Sequence, residues 1–347
     1  MTRRELRDAV NAELKNSRIV GLSEKPVVRN GLSSGSLLLN LALSGNPFVG
    51  YAWGRVGTIF GGESSGKTTL SLHAIREAQF YEDLNGEELP VLFVDAENSF
   101  DITYAEALGI DIDRVDFIQP DWGEEALTAT EYAFRKGYKV VVVDSIAALS
   151  PKAEIDGEMG AAHVGLHARL MSQACRKLSP LVRQKNALLL FINQIRFKVG
   201  VVFGNPETRP GGKAVDFYST YMIEIRAPRS GKQTGKTLMG FGEEGPEETV
   251  ELATKVKATV KKNKVAPPYR SAEFVIVYGK GIDRVQDLAS FLEYAGAFHL
   301  IEKKKTPVIE IEGDMYTSKQ LVTALKEGVL SFDLVMQRVY DLKGPQK

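Results

Sequence analysis

The chain has almost no cysteine. Cys175 stands alone among 347 residues, so no disulfide can form within it, which suits a reducing compartment. It has no excess charge of either sign, with 44 Lys and Arg against 44 Asp and Glu. Overall charge therefore gives no sign of a nucleic-acid partner, and any such partner must be met by a local patch. No apolar run approaches the roughly 20 residues that span a bilayer, and the charged start MTRRELRDAV lacks the apolar core of a signal peptide. A cytoplasmic protein with no membrane partner is expected. The four histidines show no metal-ligand spacing: His163 and His167 lie four apart without the glutamate of a zinc-protease helix. They are read as structural, and no zinc is expected.

What is there is an ordinary globular balance, 44% hydrophobic and 25% charged, in a chain long enough for one large domain with small appendages. Residues 3–16 carry Leu6, Val10 and Leu14 at helical spacing, and a stretch rich in Ser, Gly and Asn follows; this predicts a helical arm. From residue 31 to about 280, continuous apolar runs at 56–60, 91–95, 140–144 and 188–193 alternate with helical patterns at 68–80, 124–136 and 163–178. Strands apolar on both faces belong to a parallel sheet covered by helices, an α/β pattern. YMIEI at 221–225 and EFVIVY at 273–278 would extend that sheet. Segments 151–162, 197–213 and 227–248 read as loops, the last as a polar, flexible excursion. Helices around a short hairpin at 307–318 predict a small C-terminal α+β domain. The expected division is 1–30 for an N-terminal helix and linker serving subunit assembly, 31–280 for the core, and 281–347 for the small domain.

The richest motif is GGESSGKTT at 61–69, between an apolar strand and a helix. Gly61, Gly66, Lys67 and Thr68 meet the G-x-x-x-x-G-K-[ST] pattern, a phosphate-binding loop in this context. Gly61, Gly62, Glu63, Ser64, Ser65, Gly66, Lys67, Thr68 and Thr69 would cradle phosphates with backbone N–H groups at a helix N-terminus. Lys67 would reach the terminal phosphates, and the Thr68 hydroxyl would coordinate magnesium. Asp144 ends VVVVD and would orient the same magnesium from a strand terminus. A phosphate loop holds nucleotide without hydrolysing it. Glu97, just beyond VLFVD, is the candidate to activate water, and Asp95 is read as structural. Gln194 ends LLLFINQ before a long loop. It could report a γ-phosphate to that loop or merely satisfy the strand end, and the residues leave both readings open.

The segment from Gln194 to Lys213 carries Arg196, Lys198, Arg209 and Lys213 against Glu207, with Phe197, Val199 and Phe203 interleaved. Cations mixed with apolar groups on a loop suit single-stranded nucleic acid. Residues 255–270 hold six basic residues and no acid, fit for nucleic acid, for a neighbouring subunit's phosphate, or for an ordinary charged strand–turn.

Together these residues closely resemble the bacterial RecA recombinases. The resemblance rests on GGESSGKTT, FVDAEN at 93–98, VVVDSIAALSPKAEIDGEMG at 141–160, LMSQACRKLS at 170–179, LLFINQIRFKVGVVFGNPET at 189–208, GGKAVDFY at 211–218 and KNKVAPPYRSAEFVIVYGKGI at 262–282. It implies a RecA-like P-loop ATPase core with a mostly parallel sheet. It further implies ATP and Mg2+ as cofactors, a helical homo-oligomeric filament on single-stranded DNA, pairing with homologous duplex DNA, strand exchange, and help from single-strand-binding and loader proteins. By that resemblance Glu97 activates water and Gln194 senses the γ-phosphate. Asp101 and Tyr104 lie at the adenine, and Tyr278 joins the nucleotide-binding set. Lys262 and Lys264 would reach ATP across the subunit interface, where Phe217 packs. DNA would meet Val164, Arg169, Ser172, Arg176, Arg196, Phe197, Lys198, Val199, Gly200, Gly211, Gly212 and Lys213. Val164 and Phe197 stand where members commonly carry methionine. Residues 81–90 and 227–248 look inserted, and the chain ends without an acidic tail. These departures suggest a divergent member, of a kind expected from a phage. Two other functions compete: a hexameric helicase of the same fold, and a mediator that uses ATP only as an assembly switch.

Overall fold

A computed structural model describes residues 2–13, 30–159, 165–197, 204, 206–228, 232–238, 247–300 and 306–342. The expected sites Val164, Lys198, Val199 and Gly200, and also His163 and Phe203, lie outside the described residues.

Helix α1 (Arg3–Glu13) is followed, from Asn30 on, by a small pair of strands, β1 (Gly31–Leu32) and β2 (Tyr51–Ala52), flanking α2 (Leu37–Ser44). The core then runs β3 (Arg55–Gly61), α3 (Lys67–Asn85), β4 (Val91–Asp95), α4 (Ile102–Ala107), β5 (Val115–Ile118), α5 (Gly123–Lys136) and β6 (Val140–Asp144). It continues with α6 (Lys152–Ile155), α7 (Leu166–Gln184), β7 (Leu188–Gln194), the short pair β8 (Arg196–Phe197) and β9 (Glu207–Thr208), α8 (Gly212–Tyr218) and β10 (Tyr221–Arg226). Strands β11 (Lys232–Leu238), β12 (Glu247–Asn263), β13 (Ser271–Val277) and β14 (Gly281–Ile282) follow. Last come α9 (Arg284–Tyr294), the hairpin β15 (Ile309–Ile311) and β16 (Asp314–Tyr316), α10 (Ser318–Lys326) and α11 (Phe332–Leu342).

The central sheet runs β14-β13-β12-β10-β3-β7-β6-β4-β5, with β11 paired to β12. From β10 to β5 it is parallel; the β11–β14 flank is antiparallel. The continuous apolar runs have a simple cause. Val140 and Val142 face one layer, with Leu70, Ala74 and Ile75 of α3, while Val141 and Val143 face the other, with Phe134 of α5 and Leu178 and Val182 of α7. Both faces are dry, so alternation disappears. A third apolar cluster joins α9, α10 and α11 to β15 and touches Leu37, Leu38 and Leu41 of α2. No helix among the described residues is long and apolar enough to cross a membrane.

Three expectations need correction. The pattern at 163–178 predicts a helix ending before Ser179-Pro180, but α7 continues to Gln184 with Pro180 inside it. Proline removes one intrahelical donor, and burial of Leu181 and Val182 against the sheet outweighs that loss. The helix expected at 68–80 runs further, into segment 81–90: α3 reaches Asn85 before Gly86 ends it in the left-handed conformation. The polar excursion 227–248 contains β11, laddered antiparallel to the first half of β12. Backbone pairing does not require apolar side chains, so a polar composition concealed a hairpin.

Candidate nucleotide and DNA site

The parallel strands all end on one edge, and the polar residues of the site lie there. Register sets Gly61 opposite Gln194 and Asp95 opposite Asp144. Gly61, Gly62, Glu63, Ser64, Ser65 and Gly66 form the turn between β3 and α3, and Lys67, Thr68 and Thr69 the first turn of that helix. Gly66 sits at φ +93°, and a Cβ there would strike the Ile276 side chain, so only glycine closes this turn. Lys67 folds back, its Nζ donating to the Gly62 carbonyl at 2.6 Å, and Ser65 Oγ donates to the same oxygen at 2.8 Å. Thr68 Oγ1 donates to Asp144 Oδ2 at 2.7 Å.

The electrostatics follow from burial. Lys67 is held below its ordinary pKa by desolvation, partly offset by Asp144, Glu97 and Glu63. Desolvation pushes Asp144 up to about 6, helped by Glu97 and Asp95 and opposed by the Thr68 hydrogen bond and Lys67. A buried acid pair-bonded to a hydroxyl beside a lysine suits a hard divalent cation and phosphate, which would restore the charge balance.

Glu97 is exposed just past β4. Its backbone N–H and that of Ala96 both donate to the Asp144 carbonyl, at 3.3 and 2.8 Å. Its Oε1 accepts from Gln194 Nε2 at 2.9 Å and from Ser145 Oγ. Asp95, buried, accepts from the backbone N–H groups of Ser99 and Phe100, holding the bend after β4. Asp101 caps α4, accepting from Tyr104 N at 3.0 Å, and the Tyr104 hydroxyl meets Thr69 Oγ1 at 2.9 Å. Tyr278, half exposed after β13, lines a cavity of about 770 Å³ with Gly62, Glu63, Ser64 and Ile195.

The expected DNA residues lie beside this edge. Arg169 and Arg176 are exposed on α7, with Ser172 half-buried between them, on the face opposite Met171, Cys175 and Leu178. Arg196 and Phe197 are exposed on β8, two residues past Gln194. Gly211 and Gly212 open α8 with positive φ. A Cβ on Gly212 would lie 3.2 Å from the Ala168 Cβ, so α8 packs closely on α7; Lys213 is exposed in the first turn. Arg209 does not belong to this exposed set. It pairs with Asp216 at 2.7 Å and lies over the Phe60 ring.

Lys262 and Lys264 stand apart. Register aligns Lys262 with Met222 and Met222 with Thr58, midway along β3, so the phosphate loop lies about 13 Å further along and two strands across. Their ammonium groups instead donate to carbonyls at the C-terminus of α8: Lys262 to Asp216 and Phe217, Lys264 to Phe217 at 3.0 Å. Phe217 is exposed, with Lys264 over its ring. Of the other basic residues at 255–270, Lys255 and Lys257 face Glu273, and Lys261 pairs with Glu224.

Two residues that the motifs did not single out lie inside the cluster. Ser145 meets Glu97. Buried Asn193 accepts from Gln194 N and donates to the Pro210 carbonyl at 2.9 Å, tying the strand end to the far end of the long loop. Both adjoin motif residues, which was the available signal.

A phosphate loop on a parallel sheet, with a threonine–aspartate pair bridging adjacent elements, defines a P-loop nucleotide-binding protein. The model of the RecA N-terminal domain family matches residues 7–283. Over 296 residues the chain is 46% identical to Protein RecA of Halalkalibacterium halodurans, covering 85% of this chain and 77% of that one. It is 50% identical over 266 residues to Protein RecA of Bacillus mycoides, covering 76% and 71%, and 50% identical over 260 residues to that of Staphylococcus carnosus, covering 75% and 67%. The chain belongs to the RecA family.

Proposed function

We propose that the chain is an ATP-dependent DNA recombinase that forms a helical filament on single-stranded DNA and catalyses homologous pairing and strand exchange, with DNA-stimulated ATP hydrolysis. Family membership supports this class of activity. The observation that carries the coupling is the 2.9 Å bond from Gln194 to Glu97. It links the candidate water-activating carboxylate to the residue that opens the DNA loop.

In this reading Lys67 binds the terminal phosphates, Thr68 and Asp144 hold magnesium, and Asp101, Tyr104 and Tyr278 surround the base. Bound magnesium would neutralise phosphate charge. Glu97 orients a water and takes its proton, while Gln194 moves from Glu97 to the γ-phosphate and shifts the loop. Lys262 and Lys264 act on a neighbouring subunit's nucleotide, since their own lies out of reach, and residues 1–30 serve assembly. Arg169, Arg176, Arg196 and Lys213 neutralise DNA phosphates, and Phe197 contacts bases. Single-strand-binding and loader proteins would act beside it in the cytoplasm.

The test is strand exchange with ATP and homologous substrates, with negative-stain imaging of the same mixture. Open helical filaments with exchanged product are expected, and Lys67→Ala should lower single-strand-stimulated ATP turnover by roughly 10²–10³-fold. Closed rings that unwind duplex without exchange would overturn the reading in favour of a helicase.

A further inference from the structure

Ser145 follows Asp144 at the end of β6 and occupies the N-cap position of the short 3-10 turn Ile146–Ala148. Serine there ordinarily turns its oxygen back to cap the following N–H groups. Here it makes no cap bond. The side chain is fully buried, and its hydroxyl donates instead to Glu97 Oε1, on a different strand. The backbone of Ala96 and Glu97 is fastened to the Asp144 carbonyl as well. One two-residue step, Asp144-Ser145, thus grips Glu97 at both its main chain and its carboxylate.

The second donor to the same oxygen differs in kind. Gln194 lies at a strand end that opens into the DNA loop, and its amide bond to Glu97 is made at the surface. Ser145 is fully buried, between Val143 and Ile146 of an apolar layer. Oε2 of Glu97 has no hydrogen-bond partner among the described residues. The carboxylate is therefore tethered through one oxygen, with the other free to accept a proton.

We propose that Ser145 is a positioning residue for ATP hydrolysis: it holds the Glu97 carboxylate in place when Gln194 leaves it. This rests on the assignment of Glu97 as the water-activating group. With Gln194 withdrawn and no Ser145 hydroxyl, an exposed glutamate would sample several rotamers, and the fraction poised toward the attacking water would fall. The Ser145 hydroxyl bonds to Glu97, while Thr68 of the phosphate loop bonds to the Asp144 carboxylate, so removing that hydroxyl should leave nucleotide affinity near wild type.

The experiment compares wild type, Ser145→Ala, Glu97→Ala and the double variant by single-turnover ATP hydrolysis on single-stranded DNA, with fluorescent-nucleotide binding measured alongside. Ser145→Ala should lower the hydrolytic rate about tenfold with nucleotide affinity within about twofold of wild type, and the double variant should be no slower than Glu97→Ala alone, because a residue acting through Glu97 has nothing left to position. Three results would overturn the proposal: an unchanged rate, a loss of nucleotide affinity, or the same further tenfold loss in the Glu97→Ala background. A Glu97→Ala variant as fast as wild type would remove the assignment beneath it, and a wild type that hydrolyses no ATP on DNA would remove the recombinase reading itself.

Discussion

The two ends of the central sheet are built to opposite specifications. At the C-terminal edge the central polar residues of the candidate site engage one another: Lys67 with Gly62, Thr68 with Asp144, Glu97 with Ser145 and Gln194. Toward the other end, Lys262 and Lys264 rest on the last carbonyls of α8 beside an exposed Phe217. Cations at a helix C-terminus are stabilised by the aligned peptide dipoles, but solvent-exposed bonds of this kind are worth little and are readily exchanged. Burial and the neighbouring Lys264 also lower the Lys262 ammonium pKa. The first end is a knit cluster of side chains around a phosphate-loop turn; the second is a pair of cations resting on backbone carbonyls. The difference teaches that cations held only by carbonyls at a surface can be drawn to another partner, which is what the proposed action on a neighbouring subunit's nucleotide requires.

The comparison breaks most decisively if the lysines act within their own subunit. Lys262→Ala combined with Lys264→Ala should cut DNA-stimulated turnover by about 10²-fold while nucleotide binding to dilute protein stays near wild type. Mixing that variant with Glu97→Gln should restore part of the activity, since each supplies what the other lacks across a shared interface. No recovery in mixed filaments would place the lysines elsewhere.

A smaller effect separates the charges proposed to meet DNA from those proposed to meet nucleotide. Arg169→Ala with Arg176→Ala should weaken single-stranded DNA binding and lower the slope of log affinity against log salt by about one to two, whereas the lysine pair should leave that slope alone. Fluorescence anisotropy between 50 and 200 mM salt, on the order of the range where such contacts dominate, reads both.

The smallest concerns pH. His73, on the buried helix behind the phosphate loop, accepts from the Ile282 N–H, and desolvation, with Arg76 and Arg284 nearby, lowers its pKa from 6.5 to about 3. The unfolded chain therefore binds a proton in that window that the folded chain refuses, and this share of stability is lost as pH falls from 6.5 toward 3. Buried Asp287, raised by desolvation to about 6, works the other way over the upper part of the same range. Asp144, also raised to about 6, adds to Asp287, so the His73 share is read as a difference between proteins. On going from pH 7 to pH 5 the thermal midpoint of wild type should drop relative to that of His73→Gln, and the lysine pair should not alter that difference. Midpoints of wild type and His73→Gln that move in parallel would refute the assignment to His73.

Much of this was legible in the chain. The run VVVVD gave β6 to the residue, because a strand buried on both faces admits little but β-branched apolar side chains. GGESSGKTT gave the phosphate loop because its chemistry is local: turn, helix N-terminus, lysine and threonine lie within nine residues. The hairpin of β11 and β12 was not legible, since its ladder is made by backbone groups that sequence polarity does not report. Arg209 read as a free cation of the DNA loop, yet Asp216 and Phe60 claim it, and Phe60 is 149 positions away in sequence.

By itself the sequence determined the layered α/β architecture, the phosphate loop and the family, because those depend on periodicity and on short contiguous motifs. Only the tertiary structure decided that Ser145 and Gln194 meet one oxygen of Glu97, and that Lys262 and Lys264 rest on the α8 carbonyls rather than at the phosphate loop. Those facts are set by strand register and by which edge of a sheet a residue meets, and no local pattern encodes a distance across strands.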